Sequence, residues 1–150
     1  MGNLAASVTV VTTFGEDSEP LGLTVSAFSS VSLDPPIVLV CIDKGARCLP
    51  ALLDRGGFTV NFLTEGHGEI AITMASRSAD KFDGVEYEQP AHDVAGPVLT
   101  IGTFAHFQCR TRETVDAGDH WVLLADVLGG TFTENHTPLV YYHRSFVTIK

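Results

Sequence analysis

Residues 22–42, GLTVSAFSSVSLDPPIVLVCI, decide how this chain folds. Two apolar β-type segments flank a hydroxyl-rich run, Thr24, Ser26, Ser29, Ser30 and Ser32, which ends in Asp34-Pro35-Pro36. Alternate side chains of an extended backbone point to opposite faces, so these hydroxyls divide between two surfaces. Neither proline donates a backbone hydrogen bond, so the pair is predicted to end a ladder and fix a corner. The five apolar residues 37–41 then read as a buried strand. A narrow polar shelf beside a buried strand suits a flat heterocycle with many hydrogen-bonding edges.

Outward from this segment the chain reads as short strands. Residues 7–13 are valine-rich and β-branched, and residues 15–20 form a turn. Residues 21–30, 37–42 and 58–63 are the next strands. A short helix is predicted within 46–54, with Pro50 in its first turn and Arg55-Gly56-Gly57 ending it. Helical spacing of Ile70, Met74 and Phe82 predicts a second helix over 69–82, opening into a loop at Asp83-Gly84. Later strands are expected at 98–101, 104–111, 121–129 and 139–146. Many strands with few helices favour a closed or nearly closed barrel. No linker, repeat or low-complexity segment divides the chain, so 1–150 reads as one domain.

Composition removes several classes. The formal net charge is -9, which offers no basic field for a nucleic acid. Mean hydropathy is +0.20, yet no apolar run approaches the roughly 20 residues that span a bilayer. The surplus apolar surface is better buried in an oligomer interface. Cys41, Cys48 and Cys109 are an odd, unclustered set that argues against a disulfide framework or a zinc site; Cys41 and Cys109 read as core thiols. A reducing cytoplasm fits, and no signal peptide is read at the N-terminus. No HExxH, G-x-S-x-G or Walker-type loop is present. Gly66-His67-Gly68-Glu69-Ile70-Ala71 matches G-x-G-x-x-A in form, but the chain lacks the alternating strands and helices of a doubly wound sheet.

The central segment resembles the signature of the short-chain flavin reductase family. Further matches are Val8 to Thr13, Phe58 to Leu63, Lys81-Phe82-Asp83-Gly84-Val85, Gly118-Asp119-His120 and Pro138 to Tyr142, in the same order. The resemblance implies an antiparallel split β-barrel with a few short helices, the FMN-binding split barrel, in a homodimer. Flavin then becomes the leading flat heterocycle. Family members usually carry a helix before the first strand, so the start here reads as shortened or misassigned.

The resemblance also implies a site. Thr24, Val25, Ser26 and Ala27 match the segment that meets the isoalloxazine edge, where backbone N–H groups and small hydroxyls orient the ring. Family members more often have alanine and two serines at Val25, Ser26 and Ala27. Cys41, Ile42, Asp43, Lys44 and Arg47 lead from the buried strand into a helix start, whose free N–H groups suit a phosphate. Arg77 and Lys81, four apart on one predicted helical face and followed by Phe82, add a grip on the phosphate or ribityl tail. The plainer reading of these cations is a solvated basic edge.

His120 resembles the family histidine that meets the nicotinamide, and otherwise reads as a turn residue at a strand entry. Alternation sets Tyr142 and Arg144 on one face and Tyr141 and His143 on the other, with one pair bordering the flavin. No side chain is singled out as catalytic and no metal is expected. The expected activity is hydride transfer from NADH or NADPH to FMN or FAD, with reduced flavin passed to a partner monooxygenase. A flavin-binding electron carrier, a pyridoxamine-phosphate oxidase relative and a cofactor-free structural dimer are the competing readings.

Overall fold

Five of the six residues in Thr9-Val10-Val11-Thr12-Thr13-Phe14 are β-branched, and all six are buried. Phe58-Thr59-Val60-Asn61-Phe62-Leu63 is buried along its whole length too. Two strands covered on both faces require a core on each side, and the computed structural model, which describes residues 2–150, is built on that requirement.

The elements in chain order are β1 (Ala6–Ser7), β2 (Thr9–Phe14), β3 (Pro20–Val25), β4 (Phe28–Leu33), β5 (Pro36–Asp43), α1 (Leu49–Arg55), β6 (Gly57–Leu63) and α2 (Gly68–Ala75). They continue with β7 (Tyr87–Glu88), β8 (Val98–Leu99), β9 (Thr103–Ala117), β10 (His120–Phe132), β11 (Val140–Tyr142) and β12 (Ser145–Val147). Seven strands form one antiparallel sheet in the order β3-β2-β6-β9-β10-β5-β4. A three-stranded sheet, β1-β11-β12, and the pair β7-β8 lie beside it.

The curled sheet encloses the larger core, where Val11, Val25, Val40, Ile42, Phe58, Val60, Phe62 and Leu123 meet. The opposite face of β2 and β6 carries a smaller core of Val8, Val10, Leu63, Ala71, Met74, Leu99 and Leu139 beneath α2. Val10 and Val11 thus serve different cores, as strand alternation dictates.

Several sequence expectations change. The sheet is not a closed barrel: β3 and β4 are its two edges. The strand expected over 21–30 is two strands, joined by a corner at Ser26-Ala27, where Phe28 N–H donates to Ser26 O and Cys41 N–H to Ala27 O. The prolines do not end the ladder, because Pro36 pairs with Leu33 and only Asp34-Pro35 forms the turn. The helix expected over 69–82 stops at Ala75. Ser76 Oγ captures Ser78 N–H and Ser78 Oγ captures Asp80 N–H, so those donors never reach helical acceptors. Arg77 and Lys81 therefore lie in a loop and share no helical face.

The strand expected over 139–146 is a hairpin. His143 (φ 51°) and Arg144 (φ 61°) are both left-handed between Tyr142 and its partner Ser145. By contrast, α1 ends where it should, at Gly56 with φ 72°. The strands β9 and β10 run well past their expected bounds and join through Gly118-Asp119 alone, with His120 already in the ladder.

Burying both faces of β2 and β6 also buries polar side chains, and each finds partners. Asn61 Nδ2 donates to Val10 O at 3.1 Å and Thr12 Oγ1 at 3.2 Å, while its Oδ1 accepts from Leu99 N–H at 2.9 Å. Thr59 Oγ1 donates to Gly96 O at 2.7 Å and Thr12 Oγ1 to Pro97 O at 2.6 Å. This belt straps residues 95–99 onto the sheet. Replacing Asn61 with Ala orphans Leu99 N–H in a dry site, which costs about 2–3 kcal/mol. Thermal unfolding of Asn61→Ala should fall by roughly 4–10 °C.

Candidate functional site

Strand β3 positions the site because its side chains alternate. Leu21, Leu23 and Val25 face the larger core. Gly22 and Thr24 face α2: a Cβ on Gly22 would stand 3.4 Å from Met74 Sδ and 3.4 Å from Phe82 Cε2. Thr24 Oγ1 donates to Ala71 O at 2.6 Å, tying the helix to the sheet edge.

Two clefts meet at Thr24. One, of about 320 Å³, runs between β3, the β5–α1 loop and the end of α2, and is lined by Thr24, Asp43, Arg47, Ser76, Arg77 and Lys81 among others. The other, of about 640 Å³, is more apolar and is lined by Thr24, Ser26, Ile72, Tyr141, Arg144 and Phe146 among others. Thr24, Ala75 and Ser76 border both. The result is one trough with a cationic end and an aromatic end.

The cations are held differently. Arg47 donates through a guanidinium nitrogen to Arg77 O at 2.8 Å. Lys81 Nζ donates to Met74 O at 2.7 Å and Gly22 O at 3.1 Å. Burial pulls the Lys81 ammonium below its ordinary pKa, an effect that the neighbouring thiol of Cys48 opposes and Arg47 reinforces. Among the described residues no hydrogen bond or ion pair engages the Arg77 guanidinium.

The trough thus brings together Thr24, Ser26, Asp43, Arg47, Arg77, Lys81 and Arg144. The side chains of Val25 and Ile42 lie in the larger core, so only their backbones can face a ligand. Ala27 is exposed at the corner and Cys41 is half-buried behind it. Phe82 packs edge-on against Tyr87 with ring centres 5.9 Å apart, and borders a third cleft on the far side of Lys81. Lys44 points away, to Asp116 Oδ1 at 2.6 Å and over the Trp121 ring at 5.2 Å.

His120 and Tyr142 line neither cleft of the trough. His120 Nδ1 lies 2.7 Å from Asp119 Oδ1, a hydrogen bond that draws the Asp119 carboxyl below its ordinary pKa. The left-handed turn breaks the alternation expected at 141–144, so Tyr141 and Arg144 share the apolar cleft. Of the hydroxyl run, only Thr24 and Ser26 reach the trough; Ser29, Ser30 and Ser32 belong to edge strand β4. Sequence reasoning missed Ser76 and Phe146. The serine-flanked arginine of Ser76-Arg77-Ser78 was the available signal for the first. Nothing local marks Phe146, which reaches the cleft through the β11–β12 hairpin.

No helix among the described residues is long and apolar enough to cross a membrane, and no cluster of three metal-ligating side chains is found among them.

Comparison with known proteins gives concordant matches. The family model described as "Flavin reductase like domain" matches residues 1–150. A flavin reductase (NADH) from Kitasatospora aureofaciens is 45% identical over 147 residues, covering 97% of this chain and 76% of the relative. The reductase subunit HsaB of a flavin-dependent monooxygenase from Rhodococcus jostii is 33% identical, covering 100% of this chain and 75% of its own. Among solved structures, the Streptomyces globisporus NADH:FAD oxidoreductase SgcE6 in complex with NAD and FAD fragments superposes with a TM-score of 0.91. It is 32% identical and covers 99% of this chain and 88% of its own.

The three free thiols are predicted to differ in reactivity. Burial pushes the Cys48 thiol up, and burial with Asp126 nearby pushes Cys109 up to about 12. Both should react with a disulfide reagent at pH 8 more slowly than half-buried Cys41, and Cys109 the more slowly of the two. All three should react together once the chain is unfolded.

Proposed function

We propose a function from the premise that this chain belongs to the flavin reductase like family: it is an NADH-dependent flavin reductase. The observation that carries the reading is the trough across Thr24, with cations at one end and aromatic and apolar side chains at the other. That donor set fits a flavin, whose anionic tail needs charge and whose ring needs a flat apolar wall with polar edges. The Kitasatospora relative, named for NADH, supports the choice of donor.

A flavin held by Arg77 and the backbone of residues 24–27 would supply the redox chemistry, as acceptor of the nicotinamide's hydride. This chain's share is placement, since holding two rings face to face turns a bimolecular step into an effectively unimolecular one. In this reading Arg77 faces the flavin phosphate, and the backbone of Thr24 to Ala27 borders the ring edge. Thr24 Oγ1 is committed to Ala71, so its role is to hold the wall of the trough.

The remaining parts of the reading are a homodimer, a monooxygenase partner and a cytoplasmic location. A second copy is supported by exposed apolar side chains, including Leu33 (89% exposed), Ile72 (64%) and Phe132 (64%). It would supply His120 and Tyr142 to a trough they do not reach within one chain. The Rhodococcus relative, a reductase subunit, supports the monooxygenase partner. The three cysteines are free, which fits a reducing compartment.

The deciding measurement is NADH oxidation by the purified protein with FMN, FAD or no flavin, and NADPH in parallel. Flavin-dependent turnover at least about tenfold above the protein-free rate is expected, with NADH preferred. Flavin binding without turnover would instead support an electron carrier.

A further inference from the structure

The loop after α2 is pinned at both ends by cations on backbone carbonyls. At one end the Arg47 guanidinium, carried by the β5–α1 loop, donates to the carbonyl of Arg77 itself. At the other, Lys81 Nζ bridges Met74 O at the end of α2 and Gly22 O on edge strand β3. In a continued helix Met74 O would accept from Ser78 N–H. Lys81 takes that place, and Ser78 N–H turns to Ser76 Oγ. The chain between the pins is reversed by serine side chains, leaving the Arg77 guanidinium unengaged beside the cationic cleft.

We propose that Arg47 and Lys81 are positioning residues for Arg77. They fix the backbone from which its guanidinium meets the anionic tail of the flavin, and they do not themselves bind that anion. The inference rests on the flavin reading above. It divides three neighbouring cations into one ligand and two struts. Charge-assisted bonds to carbonyls are short and strong, and exchanging them for a solvated phosphate would orphan Met74 O and Gly22 O at the sheet edge. The partial burial of Lys81 that lowers its pKa fits a side chain packed into this junction.

A double-mutant cycle separates a strut from a second ligand. The readout is the affinity ratio of FMN to riboflavin, from quenching of flavin fluorescence, since riboflavin lacks the phosphate. In the wild-type protein FMN should bind at least about tenfold tighter. Arg77→Met should collapse the ratio toward one. Lys81→Met should lower it several-fold, Lys81→Arg should restore most of it, and Lys81→Met added to Arg77→Met should change it no further. Thermal unfolding reports whether each variant folds. If Lys81→Met does not, the same cycle with Arg47→Met carries the test, because Arg47 is exposed and its loss leaves the β3 edge intact.

Independent, multiplying losses of the ratio from Lys81 and Arg77 would overturn the inference and make Lys81 a direct phosphate ligand, with the flavin reading intact. A wild type that binds FMN and riboflavin equally would overturn the assignment of Arg77, and the struts with it, while turnover with NADH still stood. A wild type that binds neither would overturn the flavin reading as well.

Discussion

An unpaired sheet edge governs the architecture around the site. Strand β3 pairs with β2 on one side only, and its free carbonyls need donors that are not another chain's strand. Lys81 answers for Gly22 O while also closing Met74 O of α2, and Thr24 Oγ1 donates to Ala71 O, which holds the helix against the edge. The trough lies where α2 meets this edge, with one cleft on each side of Thr24. Protecting the edge and shaping the binding surface are therefore one event, and the side chains that do the first are poorly available for the second.

The belt around Asn61 is the counterpart on the sheet's interior. A strand buried on both faces has no solvent for its polar side chains, so each hydroxyl and amide must find a protein partner. Several of those partners are backbone groups of Gly96, Pro97 and Leu99, in a segment with little regular structure of its own. The polar residues of β2 and β6 fix where that irregular segment lies, and it in turn caps the smaller core through Leu99.

Much of this was legible in the sequence, and the failures share a cause. β-branched runs marked β2, β5 and β6, and a glycine marked the end of α1, because propensity, burial and turn chemistry agree there. The central hydroxyl run was read as one strand, whereas it turns a corner at Ser26-Ala27 with neither proline nor glycine. Spacing carried the second helix to Phe82, but serine side chains and an ammonium compete for its last hydrogen bonds and stop it at Ala75. The 139–146 strand hid a turn whose two left-handed residues, His143 and Arg144, are not those that usually announce one. Of the site, Thr24, Ser26, Asp43, Arg47, Arg77, Lys81 and Arg144 were named from resemblance and do converge. Which of Arg47, Arg77 and Lys81 is free could not be read without the carbonyls they meet.

The two edges of the seven-stranded sheet are consecutive in the chain, joined only by Ser26 and Ala27. Three Cα–Cα steps tether Val25 to Phe28 within about 11 Å, while Pro20 and Leu33 at the far ends have no such tether. The two edges are therefore held together at Val25 and Phe28 by covalent geometry alone. Ser26, at that fixed corner, also lines the apolar cleft, so the covalent link that joins the two edges sets one border of the trough, and its position follows from the chain's connectivity rather than from side-chain packing.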